Sequence, residues 1–396
     1  MRNRVNDKSQ YQQQLQLAAQ KLLDGDLVAF PTETVYGLGA DAENSAAIAK
    51  IYQTKNRPSN HPVIVHVAPE ADLHYWVSDI PADAQKLIRH FWPGPLTLIL
   101  PRASHIPDTV SGGQASVGIR CPSHPVAQDL LRAFAALKPN GHGGVAAPSA
   151  NKFGQVSPTA ATHVRSEFPE EIARGELLVL EGDDSDIGIE STIVDLSRTQ
   201  EGVGAVVLRP GHITRQQLAE VLGYMPASPD KAAPRVSGSL KAHYAPRTPL
   251  QMFKAEQLQE LLQDIPVGEK WVLLAFEATL VKLDKITIKP SNNESRGSEI
   301  FTVDTGSLPA RHGVVDYPST SVHTTSVGVD NIVHLSEQCD AYIVSDNPVR
   351  YAHDIYALLR RLDERGYQRI CVQSLPQDDT WEGLNDRLQR AAAAFE

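Results

Sequence analysis

Cysteine is scarce: three among 396 residues, Cys121, Cys339 and Cys371, isolated and odd in number. That supports neither a disulfide framework nor a CxxC metal site. No apolar run approaches the ~18–20 residues a membrane span requires. The opening MRNRVNDKSQ has no apolar stretch of the kind a secretory leader carries. Positive charge is in deficit, 37 Lys and Arg against 47 Asp and Glu, for a net charge of −10. That balance argues against a general polyanion binder while leaving room for a local basic site. Aromatic residues make up only 6% and form no repeat with basic ones, so an RNA-binding module has little support. GxxxxGK[ST], HExxH and GxSxG are all missing, which removes the signatures of P-loop, zincin and hydrolase-elbow chemistry. GLGADA at 37–42 satisfies GxGxxA, but Pro31 to Tyr36 part it from the preceding strand and the next helix starts only near Asn44. It is not a dinucleotide fingerprint. His312, His323 and His334 read as surface-loop residues rather than metal ligands. The expectation is a cytoplasmic protein without membrane contact and without a protein-built metal cage.

What remains is an ordinary globular composition, 41% hydrophobic and 21% charged, over a length that suits two domains. Strands are expected at 27–30, 63–67, 96–100, 117–120, 177–180, 191–196 and 205–210. Helices are expected at 11–24, at 45–55 behind an Asn44 or Ser45 cap, and near 81–91, 125–136, 159–167 and 214–222. Several apolar runs are continuous rather than alternating, as in strands covered on both faces by helices. The fold class is therefore α/β, with an α/β domain over 1–222. A stretch rich in Pro, Ala and Ser over 223–249 reads as a linker. A smaller α/β domain over 250–396 follows, with strands at 271–276, 341–345 and 369–375 and helices at 349–366 and 382–394. Residues 285–335 fit no element.

Five segments put hydroxyls and cations at strand ends, where α/β proteins place ligands. PTETVYGLGADA (31–42) reads as a tight loop with free hydroxyls. KNRPSNHPVIVHV (55–67) brings Lys55 and Arg57 to a helix end and sets His66 in a strand. In SVGIRCPSHP (116–125), Arg120 closes an apolar strand, where a guanidinium must meet either an anionic ligand or a neighbouring acid. APSAN and SPT (147–159) offer Ser149 and Ser157 near a helix start. GIESTIVDL and LRPGHIT (188–214) add Ser191 and Arg209. Together these suggest a pocket for a phosphate-bearing ligand.

The ordered set PTETVYGLGADA, KNRP…HPVIVHV, FWPGPLTLIL, VGIRCPSHP, APSAN…SPT, ESTIVDL and LRPGHIT resembles the YrdC-like family of threonylcarbamoyl-AMP synthases over about residues 15–215. LKAHYAP (240–246) and WEGLNDRLQRAA (381–392) resemble the longer, two-domain form. The resemblance implies a YrdC-like open twisted sheet with helices around a concave cavity, plus a Rossmann-like C-terminal domain. It implies formation of threonylcarbamoyl-AMP and pyrophosphate from L-threonine, bicarbonate and ATP, with Mg²⁺ accompanying ATP. A partner system would then transfer the group to tRNA, to which this chain's own contact would be weak. By motif position, Thr34, His66, Arg120 and Ser191 would hold threonine. Arg57, His61, Ser116, Ser149, Ser157, Arg209 and Tyr244 would hold ATP, and Lys55, Arg57 and Arg120 would supply catalytic charge. His61 stands where family members commonly carry Asn. VSGSLKAHYAP replaces the usual SPGM-type lead-in to the linker tyrosine. A related carbamoyl-adenylate chemistry of hydrogenase-maturation proteins and a non-catalytic RNA-binding module are the competing readings.

Overall fold

A computed structural model describes residues 2–282 and 332–396, with side chains from Ser9 onward. Among the described residues, nine strands form one mixed sheet: β1 (Leu27–Phe30), β2 (Gly37–Asp41), β3 (Ile64–His66), β4 (Leu96–Pro101), β5 (Ser116–Arg120), β6 (Val145–Ala146), β7 (Leu177–Val179), β8 (Thr192–Asp195) and β9 (Val206–Arg209). Their order is β7-β1-β2-β6-β3-β5-β4-β8-β9. LVAF, TIVD and VVLR are buried at every position, as the unbroken apolar runs require of strands covered on both faces. The Ser45–Lys55 helix begins where the Asn44 side chain accepts from the Ala46 and Ala47 amides, and it stops at Asn56 with φ 52°.

Two expectations are corrected. The first helix runs from Arg2 to Leu23, longer than the periodicity indicated. Residues 37–41 are not loop but β2, which returns antiparallel along β1. Its glycines hid it from a propensity argument. At Gly39 a Cβ would lie 2.7 Å from Val145 Cγ1 and 2.9 Å from the Phe30 ring, so the close approach of three strands requires glycine there.

A second sheet holds β10 (Leu250–Phe253), β11 (Trp271–Phe276), β12 (Ile332–Ser336), β13 (Cys339–Val344) and β14 (Arg369–Gln373), in the order β10-β14-β11-β13-β12. Four of these strands run parallel and β12 pairs antiparallel at the edge. With the helices Pro348–Asp363 and Glu382–Ala392 this is a Rossmann-like α/β arrangement. Strands β10 and β12 are additions to the expected set; each is short and β12 is half-exposed. Of the unassigned 285–335 stretch, 332–335 belong to β12 and the rest lies outside the described residues, as do His312 and His323. His334 lies in β12, its side chain exposed and its Nδ1 2.5 Å from Asp340 Oδ1. The three cysteines are free and buried. Among the described residues no helix is long and apolar enough to cross a membrane.

The two sheets share a core. Val35, Val156 and Ile189, from loops of the first sheet, join Ile355, Tyr356, Leu359, Leu384 and Leu388 of the second in one buried apolar cluster. The linker's Tyr244 belongs to the same cluster.

Candidate active site

Side chains alternate across a strand, so every second residue of β3, β5, β4, β8 and β9 faces one side of the first sheet. Strand register aligns His66 with Arg120, Arg120 with Thr97, Thr97 with Ile193, and Ile193 with Arg209. A single row across five strands thus carries an imidazole, two guanidiniums and a hydroxyl. Over this row lies an open cleft spanning about 450 Å³ with its share of open solvent included. Its walls come from Thr32 and Thr34 after β1, from Pro148 and Ser149 after β6, from Glu190 and Ser191 before β8, and from Ser237, His243 and Tyr244 of the linker.

Of the two alternatives its position posed, Arg120 meets the neighbouring acid. Its Nη2 lies 2.7 Å from Glu33 Oε1, with both side chains about 5% exposed or less. The other Glu33 oxygen accepts from the Ser123 amide at 3.2 Å. The Arg120 Nε has no partner, and Arg120 lines the cavity. Beside it, His66 Nδ1 is also unpartnered. Burial, and then the Arg120 charge, push the His66 imidazole down to about 3, so it is neutral at physiological pH. Ser191 Oγ lies 2.8 Å from Thr97 Oγ1, and Thr34 Oγ1 lies 2.9 Å from Thr32 Oγ1.

Three further cations find only neutral partners. Arg209 donates to the Ser191 carbonyl at 3.1 and 2.9 Å and to the Ser237 carbonyl at 3.0 Å. Arg57 donates to the Pro62 carbonyl at 2.7 Å and to Ser237 Oγ at 3.5 Å, while its Nε has no partner. Lys55 donates to the Ser149 carbonyl at 2.5 Å and to that of Asn151. All three are buried. Burial lowers the Arg57 pKa to about 10 and takes Lys55 well below its ordinary value. A buried cation whose hydrogen bonds all go to neutral groups is costly unless a nearby acid or an incoming anion offsets it, and for Arg209 Glu190 supplies part of that offset.

Of the residues named from the sequence, Thr34, His66, Arg120, Ser149, Ser191, Arg209 and Tyr244 line the cavity. Ser116 lines an adjoining shallow cleft with Gln114, Gly118, Arg235 and Val236, and Ile64 and Ser237 border both spaces. Lys55, Arg57, His61 and Ser157 stand behind the wall. Ser157 Oγ donates to Glu190 Oε1 at 2.5 Å. His61 sets its ring edge-on to Phe153 at 5.4 Å, its pKa lowered by burial and then by Arg57. Tyr244 is buried with φ 61°, and its hydroxyl has no partner.

Sequence reasoning missed Glu33, Thr97, Glu190 and Ser237. The two glutamates sat inside the quoted PTET and GIEST segments, and an acid there could have been matched to the arginines by charge alone. Among the described residues no group of three or more His, Cys, Asp or Glu side chains could hold a metal ion.

Two family models match the chain. One, described as telomere recombination and covering the Sua5, YciO and YrdC proteins, spans 20–211. The other, described as the threonylcarbamoyl-AMP synthase C-terminal domain, spans 213–393. Threonylcarbamoyl-AMP synthase of Bacillus subtilis (strain 168) is 39% identical over 268 residues, 65% of this chain and 72% of that protein. The enzyme of the same name from Pyrococcus abyssi is 38% identical over 237 residues, 59% of this chain and 65% of the relative. The crystal structure of P. abyssi Sua5 complexed with L-threonine superposes with a TM-score of 0.70 at 26% identity, covering 96% of this chain and 94% of that one.

Proposed function

The chain belongs to the Sua5, YciO and YrdC family, and on that premise we propose that it is an L-threonylcarbamoyladenylate synthase, with 1–222 as the catalytic unit, 223–249 as a strap and 250–396 as the C-terminal unit. One observation carries the reading furthest: buried Arg57 and Arg209, with Lys55 behind them, hydrogen-bond only to carbonyls and hydroxyls beside a cavity that Arg120 and a neutral His66 also line. A polyphosphate and an amino-acid carboxylate supply the anions this arrangement lacks.

Threonine's amine and bicarbonate give a carbamate and water. A carbamate oxygen then forms a bond to the α-phosphorus of ATP, and the bond to pyrophosphate breaks. No enzyme nucleophile is required, so positioning and charge stabilisation dominate. Arg120, through its unpartnered Nε, takes the threonine carboxylate, while Thr34, His66 and Ser191 hold its amine and hydroxyl end. A neutral His66 accepts a proton or a hydrogen bond without adding charge. Arg209 faces the phosphates with Ser149 as a hydroxyl donor, while Arg57 adds charge from behind Ser237, Ser157 holds the Glu190 carboxylate and Lys55 braces the Ser149 loop. Ser116, His61 and Tyr244 complete the nucleotide site. The substrate is MgATP. The two nearby carboxylates, Glu33 and Glu190, are already paired with Arg120 and Arg387, so the ion would be held mainly by the nucleotide it accompanies. The product passes to a transfer system that modifies tRNA in the cytoplasm.

The test is pyrophosphate release by the purified protein with Mg²⁺ and ATP, omitting threonine and bicarbonate in turn. Release that needs both supports the assignment. Release without threonine points to another carbamoyl acceptor and contradicts it.

A further inference from the structure

Glu190 is the carboxylate on the cavity wall, and it stands where the phosphates are proposed to bind. An acid there would repel a triphosphate unless its charge were cancelled. Its partner comes from the other end of the chain. Arg387, in the Glu382–Ala392 helix, is 1% exposed. Its Nε donates to Glu190 Oε2 at 2.7 Å and its Nη2 to the Glu190 carbonyl at 3.3 Å. Its Nη1 donates to the Pro210 carbonyl at 3.1 Å, one residue beyond Arg209, and to Asp386 at 2.7 Å. The same guanidinium lies 5.0 Å from the centre of the Tyr244 ring. Tyr356, from the Pro348–Asp363 helix, adds a hydroxyl 3.1 Å from Glu190 Oε2 and stacks with Tyr244 at 6.0 Å.

We propose that Arg387 is a positioning residue for the nucleotide: supplied by the C-terminal domain, it neutralises Glu190 and braces the Pro210 and Tyr244 segments around the phosphate site. This rests on the MgATP reading above and gives the C-terminal domain a task within the catalytic cavity. Neutralised, Glu190 can hold the Ser157 hydroxyl without opposing the phosphates. The groups facing it are Arg387 and Tyr356 from the two C-terminal helices, Arg209 from the end of β9, His243 and Tyr244 from the linker, and Ser157. Burial works to raise the Glu190 pKa, but Arg387 first and Arg209 next bring it down to about 2. Removing Arg387 removes the larger of those two, so the carboxyl rises and takes up a proton as pH falls.

The experiment compares full-length wild type, Arg387→Met, Arg387→Lys, Glu190→Gln and the Arg387→Met/Glu190→Gln pair by pyrophosphate release and by calorimetric binding of ATP. Arg387→Met raises KM for ATP by about tenfold or more and leaves KM for threonine within about twofold. Its KM for ATP, as a ratio to wild type, shrinks as pH falls, because protonating Glu190 removes the repulsion. Adding Glu190→Gln recovers most of the loss and abolishes that pH trend. Arg387→Lys, which keeps the charge, stays within a few-fold of wild type and decides the matter even where the Met variant fails to fold. Equal losses for both substrates, losses that multiply in the pair, or a Lys variant as impaired for ATP as for threonine would overturn the proposal. Should wild type bind ATP yet release no pyrophosphate, the assigned reaction fails, while the same ratios read as ATP dissociation constants still decide the role of Arg387.

Discussion

Arg120 is held by one acid, Glu33, at one nitrogen, while its buried Nε has no partner and the residue lines the cavity. Arg120→Ala therefore raises KM for threonine by about thirtyfold or more, since stranding a buried carboxylate partner costs about 2–5 kcal/mol. Steady-state kinetics with each substrate varied checks it; an unchanged threonine KM would remove the carboxylate clamp. The same change leaves Glu33 buried and unpaired, so thermal stability falls as well. Titration at the residue scale has a definite sign. Burial holds His66 and His243 neutral, with pKa values near 3 against an ordinary 6.5. Below about pH 6.5 the unfolded chain binds more protons than the folded one, so stability is full above that pH and declines as pH falls toward about 3. Denaturant unfolding at several pH values measures the slope, which becomes shallower in His66→Gln. A slope unchanged in that variant would contradict the buried neutral state. Arg120 was legible in the sequence because a guanidinium closing an apolar strand demands an anion, whereas His66 was singled out only by the family resemblance. Arg387 was not, because it meets Glu190 across 197 positions and nothing local in NDRLQRAA signals it.

At the scale of elements, β2 and the strap separate what pattern reveals from what it hides. The strands LVAF, LTLIL and VGIR announce themselves by apolar runs; GLGAD does not, because its glycines are chosen for close approach rather than strand propensity. Composition marked the strap only as a linker, and the resemblance alone set Tyr244 at the nucleotide. The strap's packing onto the cavity depends on a backbone conformation that composition does not encode. Gly238 has φ +76°, and a Cβ there would lie 1.9 Å from Tyr244 Oη. Ser237, beside it, bridges Arg57 and Arg209. Gly238→Ala consequently displaces the strap from both arginines and from Tyr244, lowering ATP turnover several-fold and exposing 223–249 to limited proteolysis. Wild-type turnover together with an unchanged digestion pattern would mean that the strap is only a tether.

At the scale of the whole molecule, the two sheets were foreseen as separate bodies, yet the join between them was not legible. Apolar periodicity marks which face of a helix is buried, not which partner buries it. Here Val35, Val156 and Ile189 complete the core of the C-terminal helices, and Arg387–Glu190 and Arg360–Glu167 cross the boundary. Breaking so continuous an interface exposes both apolar surface and unpaired charge. Calorimetric unfolding is accordingly a single transition, and two resolved transitions would contradict a shared core. The account as a whole stands on the claim that this cavity joins a threonine carbamate to AMP. Its most direct test follows labelled bicarbonate into a nucleotide product while pyrophosphate is measured in the same reaction. Label and pyrophosphate are expected in equal amounts, both dependent on threonine and both largely lost in Arg120→Ala. Pyrophosphate released without label in the nucleotide, or label undiminished in Arg120→Ala, would contradict it.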